Sequence, residues 1–206
     1  MDNWSKGSVC FEHGFSLMRN AIEGYCQLSE QTWSELKNIT SSKSYTRGTS
    51  FVKAGEVTTS FGFVCSGLFR AFVFDLDGNE YCKNFFIENS FPGSMVALLS
   101  KKPSDFSIQS LEDSHLLEID FGAYRELLKL HEDLKWFHIL YLEKNWILDK
   151  EKREVALVQD NATERYLTFQ RLNPGLEERL SQYHVASHIG VTPTQLSRIR
   201  KALRSA

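Results

Sequence analysis

The sequence predicts an α+β chain: an antiparallel β-roll or jelly roll, then a long helix, then a small helical C-terminal domain. Three observations carry this. Between Ser44 and Asp120, short runs rich in Phe, Val, Ile, Tyr and Thr are broken at short intervals by turn residues, the texture of a sheet sandwich. From Glu132 to Val158, apolar residues recur at threes, fours and sevens, the period of a helix. From Gln182 to Leu203, the order helix, glycine, Thr-Pro, helix reads as a helix-turn-helix. With 206 residues there is chain enough for one large domain and one small one.

Residues 1–43 read as a helical lead-in. Ser29 is placed to cap a helix running through Leu36, with Trp33 and Leu36 on one side. The roll, 44–120, is punctuated by Gly48, Ala54-Gly55-Glu56, Ser66-Gly67, Asp77-Gly78-Asn79 and Pro92-Gly93. Its clearest feature is a hairpin: Leu68–Phe74, a turn over Asp75–Asn79, and a return over Glu80–Ile87. The many aromatic residues suit a core between two facing sheets.

Asp120 caps a helix over Phe121–Leu130, and the long helix follows. At roughly 27 residues it would span about 40 Å, more than a small domain needs for itself. Leu134, Phe137, Tyr141, Leu148, Val155 and Val158 form its apolar face, widened by Leu140, Trp146 and Ile147. The first half is expected to pack on the sheets and the second to meet its own copy in a two-fold dimer. Residues 121–160 are therefore read as connecting and dimerisation helices. Asn161 then caps Ala162–Leu172, which stops at Asn173-Pro174-Gly175 and opens the last domain, 161–206.

In that domain Val185, Ala186 and Ile189 form a helical stripe, and Gly190 ends the helix at no steric cost. Thr192 supplies an N-cap oxygen, and Pro193 sits where a missing N–H is harmless. Leu196, Ile199 and Leu203 face inward on the second helix, leaving Thr194, Gln195, Arg198 and Lys201 outside. A small Ala186 lets the two helices cross closely, so that the second can enter a DNA major groove.

The overall charge is −2, but residues 161–206 hold seven Arg or Lys against three Glu, +4, leaving −6 elsewhere. The basic tail is the part suited to phosphates. Cys10, Cys26, Cys65 and Cys82 are scattered without a CxxC pair, so neither a structural zinc nor a cluster site is indicated. A metal-binding jelly-roll enzyme would need two or three converging histidines, and His115 stands alone in the roll. No phosphate loop, GxSxG elbow or catalytic carboxylate pair stands out. A non-enzymatic chain without cofactor is expected. The N-terminus shows no secretory pattern and there is no apolar run of 18 residues, so a cytoplasmic location without membrane partners is expected.

Several stretches, in order, resemble the Crp/Fnr family of bacterial transcription regulators. Phe51-Val52-Lys53-Ala54-Gly55-Glu56 resembles the turn that opens the family's cyclic-nucleotide-binding-like roll. Ser66-Gly67-Leu68-Phe69-Arg70 resembles its next strand, Asp77-Gly78-Asn79-Glu80 its hairpin, and Val191–Lys201 its recognition helix, in wording closest to the branch common in Bacteroidetes. The resemblance implies a winged helix-turn-helix and a homodimer on double-stranded DNA with a two-fold operator, with RNA polymerase as a further partner. It places base reading on Pro193, Thr194 and Arg198, although the family's usual arginine and glutamate are absent at the first two. Arg198 can contact guanine bidentately, and Gln195 can read adenine or hold a phosphate. Thr192, Ser197 and Arg200 are candidates for phosphate contacts.

The same resemblance maps the family's effector cassette onto Gly93, Ser94, Phe106 and Ser107. Ser94 replaces the carboxylate that takes the ribose, and Phe106 replaces the arginine that neutralises the phosphate. A phosphate buried without a cation is costly, so cAMP is not the expected ligand. Either an unknown, less charged small molecule uses Phe106 as a wall, or side chains fill the pocket. The rival to DNA reading is a sensory or scaffolding module that keeps the fold without specific DNA binding.

Overall fold

The structure, a computed structural model, describes residues 7–148, 151, 155 and 159–205. Two helices lead in, α1 (Gly7–Glu23) and α2 (Glu30–Asn38), the latter capped by the Ser29 side chain on the Thr32 N–H. Seven strands follow: β1 (Thr40–Tyr45), β2 (Ser50–Val52), β3 (Ser60–Ser66), β4 (Phe69–Phe74), β5 (Glu80–Phe86), β6 (Ser107–Ser110) and β7 (Ser114–Asp120), with α3 (Met95–Ser100) between β5 and β6. One sheet has the order β1-β7-β3 and the other β2-β6-β4-β5. Antiparallel register pairs Thr40 with Ile119 and Phe63 with Leu117.

Strands β3 and β7 are buried on both faces, which is why β3 reads as a near-continuous apolar run. Phe61, Phe63, Cys65, Leu117 and Ile119 join a core with α1, α2, α4 (Phe121–Leu130) and α5 (Glu132–Leu142). Val64 and Leu116, one residue out of phase, join Val52, Phe69, Ala71 and Ile108 inside the roll. Gly67 lets the turn between β3 and β4 pass close to the start of β7: its φ is +96°, and a Cβ there would lie 2.0 Å from the Ser114 hydroxyl oxygen.

The long helix differs from the expectation. After α5 the chain passes into a π-helical turn, Glu143–Leu148, so its described part is not one uniform rod. Glu151 and Val155 are helical, and Val158 lies outside the described residues. The long helix's first half does pack inward as expected, so Leu134 and Phe137, also counted in the dimer helix, are buried in their own chain's core, and Tyr141 packs there against Tyr25, Phe91 and Phe137. Sheet packing claims the first three turns because the aromatic floor beneath them is already laid by Phe91 and Tyr25. Apolar side chains turn outward later, at Ile147, Leu148 and Val155.

By contacts the chain forms two compact units, residues 1–71 with 85–143, and residues 72–84 with 144–206. The β4–β5 hairpin tip thus groups with the C-terminal helices. Those helices are α6 (Ala162–Leu172), α7 (Leu176–Arg179), α8 (Gln182–Ile189) and α9 (Pro193–Arg204). Their core is Tyr166, Phe169, Leu176, Val185, Ala186, Ile189 and Leu196. No strand occurs among the described residues of 161–206, so the expected wing is absent from this segment. No helix among the described residues is long and apolar enough to cross a membrane.

Candidate nucleic-acid interface and effector pocket

The second helix of the motif, α9, begins with two reciprocal bonds. The Thr192 hydroxyl accepts the Gln195 N–H at 3.2 Å, and Gln195 Oε1 accepts the Thr192 N–H at 2.9 Å. Pro193 occupies the first helical position, and Gln182 Nε2 donates to its carbonyl at 2.6 Å. The N-terminal turn is therefore fixed to α8 before any ligand arrives. Gly190, with φ +70°, makes the turn between the helices.

From this start the helical period sorts the side chains. Leu196 is fully buried and Ile199 half-buried. Thr194, Ser197, Arg198 and Lys201 are exposed, and their spacing of three, one and three residues sets them on one face. This stripe holds two cations and two hydroxyls, a set that can meet phosphates and base edges. The structure brings together Thr194, Ser197, Arg198 and Lys201 from the sequence expectation. It gives Thr192 and Gln195 the work of capping, and the engaged carbonyl of Gln195 weakens its case as a bidentate adenine reader.

Arg200 departs from the expectation. It turns to the flank, where its Nη2 pairs with Glu177 and its Nε donates to the Tyr166 hydroxyl at 3.3 Å. Its guanidinium lies 5.8 Å from the centre of the Tyr166 ring. An arginine so engaged is not presented to a phosphate. Sequence reading missed Glu177 because its partner lies 23 residues away, beyond any helical spacing. It also missed α8's grip on the hairpin. Ser187 Oγ accepts the Cys82 N–H at 2.8 Å and donates to the Glu80 carbonyl at 2.8 Å, and His188 Nδ1 lies 3.0 Å from the Cys82 carbonyl. Strand β5 is a sheet edge, and these side chains satisfy its outward backbone groups.

In the roll, the four cassette residues already have internal partners. The Ser94 hydroxyl accepts from Ser104 at 2.9 Å, and both side chains are buried. Ser107 Oγ accepts the Ala54 N–H at 3.0 Å. Phe106 packs on the inner cluster of Val52, Val64, Phe69 and Ile108. A Cβ on Gly93 would stand 2.9 Å from that of Phe61, so this glycine serves close packing. Nearby, Arg70 is buried and donates twice to Gln109 Oε1, at 3.2 and 2.9 Å. Among the described residues no group of three His, Cys, Asp or Glu could hold a metal ion.

Residues 42–131 match the family described as the cyclic nucleotide-binding domain. No curated protein sequence matches the chain. Among solved structures, the c-di-GMP-responsive global regulator CLP of Xanthomonas campestris is 17% identical, with a TM-score of 0.68, over 86% of this chain and 92% of its own. FixK2 of Bradyrhizobium japonicum is 16% identical, with a TM-score of 0.67, over 81% and 85%. A protein of Eubacterium rectale assigned to the Crp/Fnr transcriptional regulators is 13% identical, with a TM-score of 0.61, over 86% and 84%. Residues 42–131 thus match the cyclic nucleotide-binding domain family, within a chain that has the fold of Crp/Fnr-type transcriptional regulators.

Proposed function

We propose that the chain is a sequence-specific DNA-binding transcriptional regulator, acting as a cytoplasmic homodimer on a two-fold symmetric operator and not controlled by cAMP. The observation that carries this reading is the outward stripe of α9, Thr194, Ser197, Arg198 and Lys201, on a helix whose opposite side is anchored by Leu196. Arg198 is the base reader, directed at guanine O6 and N7. Lys201 and the two hydroxyls hold the backbone and fix register. The second copy comes through the outward residues Ile147, Leu148 and Val155. A two-fold pair sets one recognition helix in each of two major grooves about 34 Å apart. RNA polymerase is the expected further partner once the dimer is on DNA.

For the roll, the bonded Ser94–Ser104 pair and the packed Phe106 favour a pocket filled by its own side chains. A binding titration with the chain's own upstream DNA, at two salt concentrations, tests the proposal. A regulator gives a tight, salt-sensitive site above a weak background. Binding no better than to random duplex would leave the sensory or scaffolding module in its place.

A further inference from the structure

Along α9 the apolar anchoring is uneven. Leu196, in the second turn, is its only fully buried side chain among the described residues, and Leu203 is exposed. The helix's last turns border a cleft of about 580 Å³, lined among others by Tyr166, Gln170, Glu177, Arg200 and Leu203. Packing alone therefore does not fix the angle at which this end of the helix stands. Polar contacts do. Glu177 takes the Arg200 guanidinium on Oε1, the Tyr166 hydroxyl at 2.7 Å and the Gln170 amide at 2.7 Å, and Gln170 also donates to the Tyr166 hydroxyl at 2.9 Å. Tyr166 and Gln170 lie one turn apart on α6, so two helices and the short α7 close on a single carboxylate. Burial pushes the Glu177 carboxyl up, but the bonds from Gln170 and Tyr166 and the charge of Arg200 hold it below its ordinary value.

The recognition helix is thus held at three points along its length: Gln182 on the Pro193 carbonyl, Leu196 in the core, and Arg200 on Glu177. Arg198 lies between the last two. We propose that Glu177 is a specificity-determining positioning residue: by holding Arg200 it sets the tilt of α9, and so the base edge Arg198 reaches, without itself touching DNA. This rests on the DNA-reading role proposed above. A group that positions and one that contacts phosphate leave different marks, since only the second releases counterions.

The test uses the full chain and a duplex selected by the wild type from a random pool. Affinity for that duplex is compared with affinity for a scrambled one, across salt concentrations. Glu177→Gln should lower the ratio about tenfold, a misplaced reader losing much of one base contact, while the salt slope stays that of the wild type. Tyr166→Phe, a milder change, should shift the ratio the same way. Thermal melting checks that both variants fold. Arg200→Glu alone should lose discrimination, and adding Glu177→Arg should restore most of it by reversing the pair. An unchanged ratio in folded Glu177→Gln would overturn the proposal. So would a reversed pair no better than Arg200→Glu with a slope reduced by about one counterion, which would make Arg200 a phosphate contact. A wild type that selects no sequence would overturn the DNA-reading role and this inference together; a discriminating wild type with indifferent variants would overturn this inference alone.

Discussion

Under the proposed DNA-reading role, Arg198 is the single side chain on which operator choice turns. It is exposed, it shares a face with Lys201, and its removal leaves every core contact of α9 in place. Arg198→Ala is expected to cost about 1–3 kcal/mol of discrimination between cognate and random duplex, with an unchanged melting temperature; titration against both duplexes checks it. Acid sensitivity is set at this scale too. Burial pushes the Asp133 carboxyl up, but the Ser29 N–H, the Thr32 hydroxyl and the Leu134 N–H hold it below its ordinary value. Glu177 is depressed likewise. A depressed carboxylate contributes stability above its unfolded pKa that is lost as pH falls through the folded one. His138, lowered by burial and by the charge of Arg125, adds to the same acid limb from nearer the ordinary imidazole value. Melting temperature should therefore fall on acidification, first gently below about pH 6.5 and then steeply below about pH 4. Asp133→Asn should flatten the steep part. Capping residues such as Ser29, Asp120, Asn161 and Thr192 were legible in the sequence because each acts on an N–H two or three positions ahead. Asp133 on Thr32 and Arg200 on Glu177 were not, since those partners meet only after the chain has folded back.

Among elements, the hairpin, the caps and the helix pair followed from local pattern, while the long helix and the wing did not. Periodicity showed that Leu134, Phe137 and Tyr141 share a side, but not whether a sheet or a second copy covers it. The aromatic residues that decide this, Tyr25 and Phe91, come from α1's end and the loop after β5. The wing was carried by resemblance alone, with no strand texture in 161–206 behind it. The cassette too was read by resemblance, and its local partners lay beyond it: Ser94 is bonded by Ser104, and Phe106 packs on the inner cluster. A ligand that binds only the native state must raise its melting temperature, by an amount that grows with concentration over Kd. Millimolar cAMP should leave the melting curve where it is, and a clear upward shift would mean that Phe106 moves aside.

At the scale of the molecule, the proposed assembly rests on the outward residues after α5. Ile147 and Leu148 are more than half exposed, at 58% and 55%, on a segment that lies past the chain's own core. Leu148→Glu should convert the proposed dimer to monomer in analytical ultracentrifugation and weaken binding to the proposed operator by a factor of about 10² or more, since the second recognition helix is lost with its effective concentration. Fold class was legible at this scale because texture changes twice along the chain, at Ser44 and at Asp120. The grouping of residues 72–84 with the C-terminal helices was not, because it depends on Ser187 and His188 meeting β5 about 105 positions away. With the hairpin tip in that group, the backbone passes between the two units at 71–72, 84–85 and 143–144. Two of those crossings are extended chain, which at about 3.3 Å per residue is already near its full length and hardly stretches. A load arising along β4 or β5 would therefore reach residues 72–84, which Ser187 and His188 hold, as traction on a taut cord.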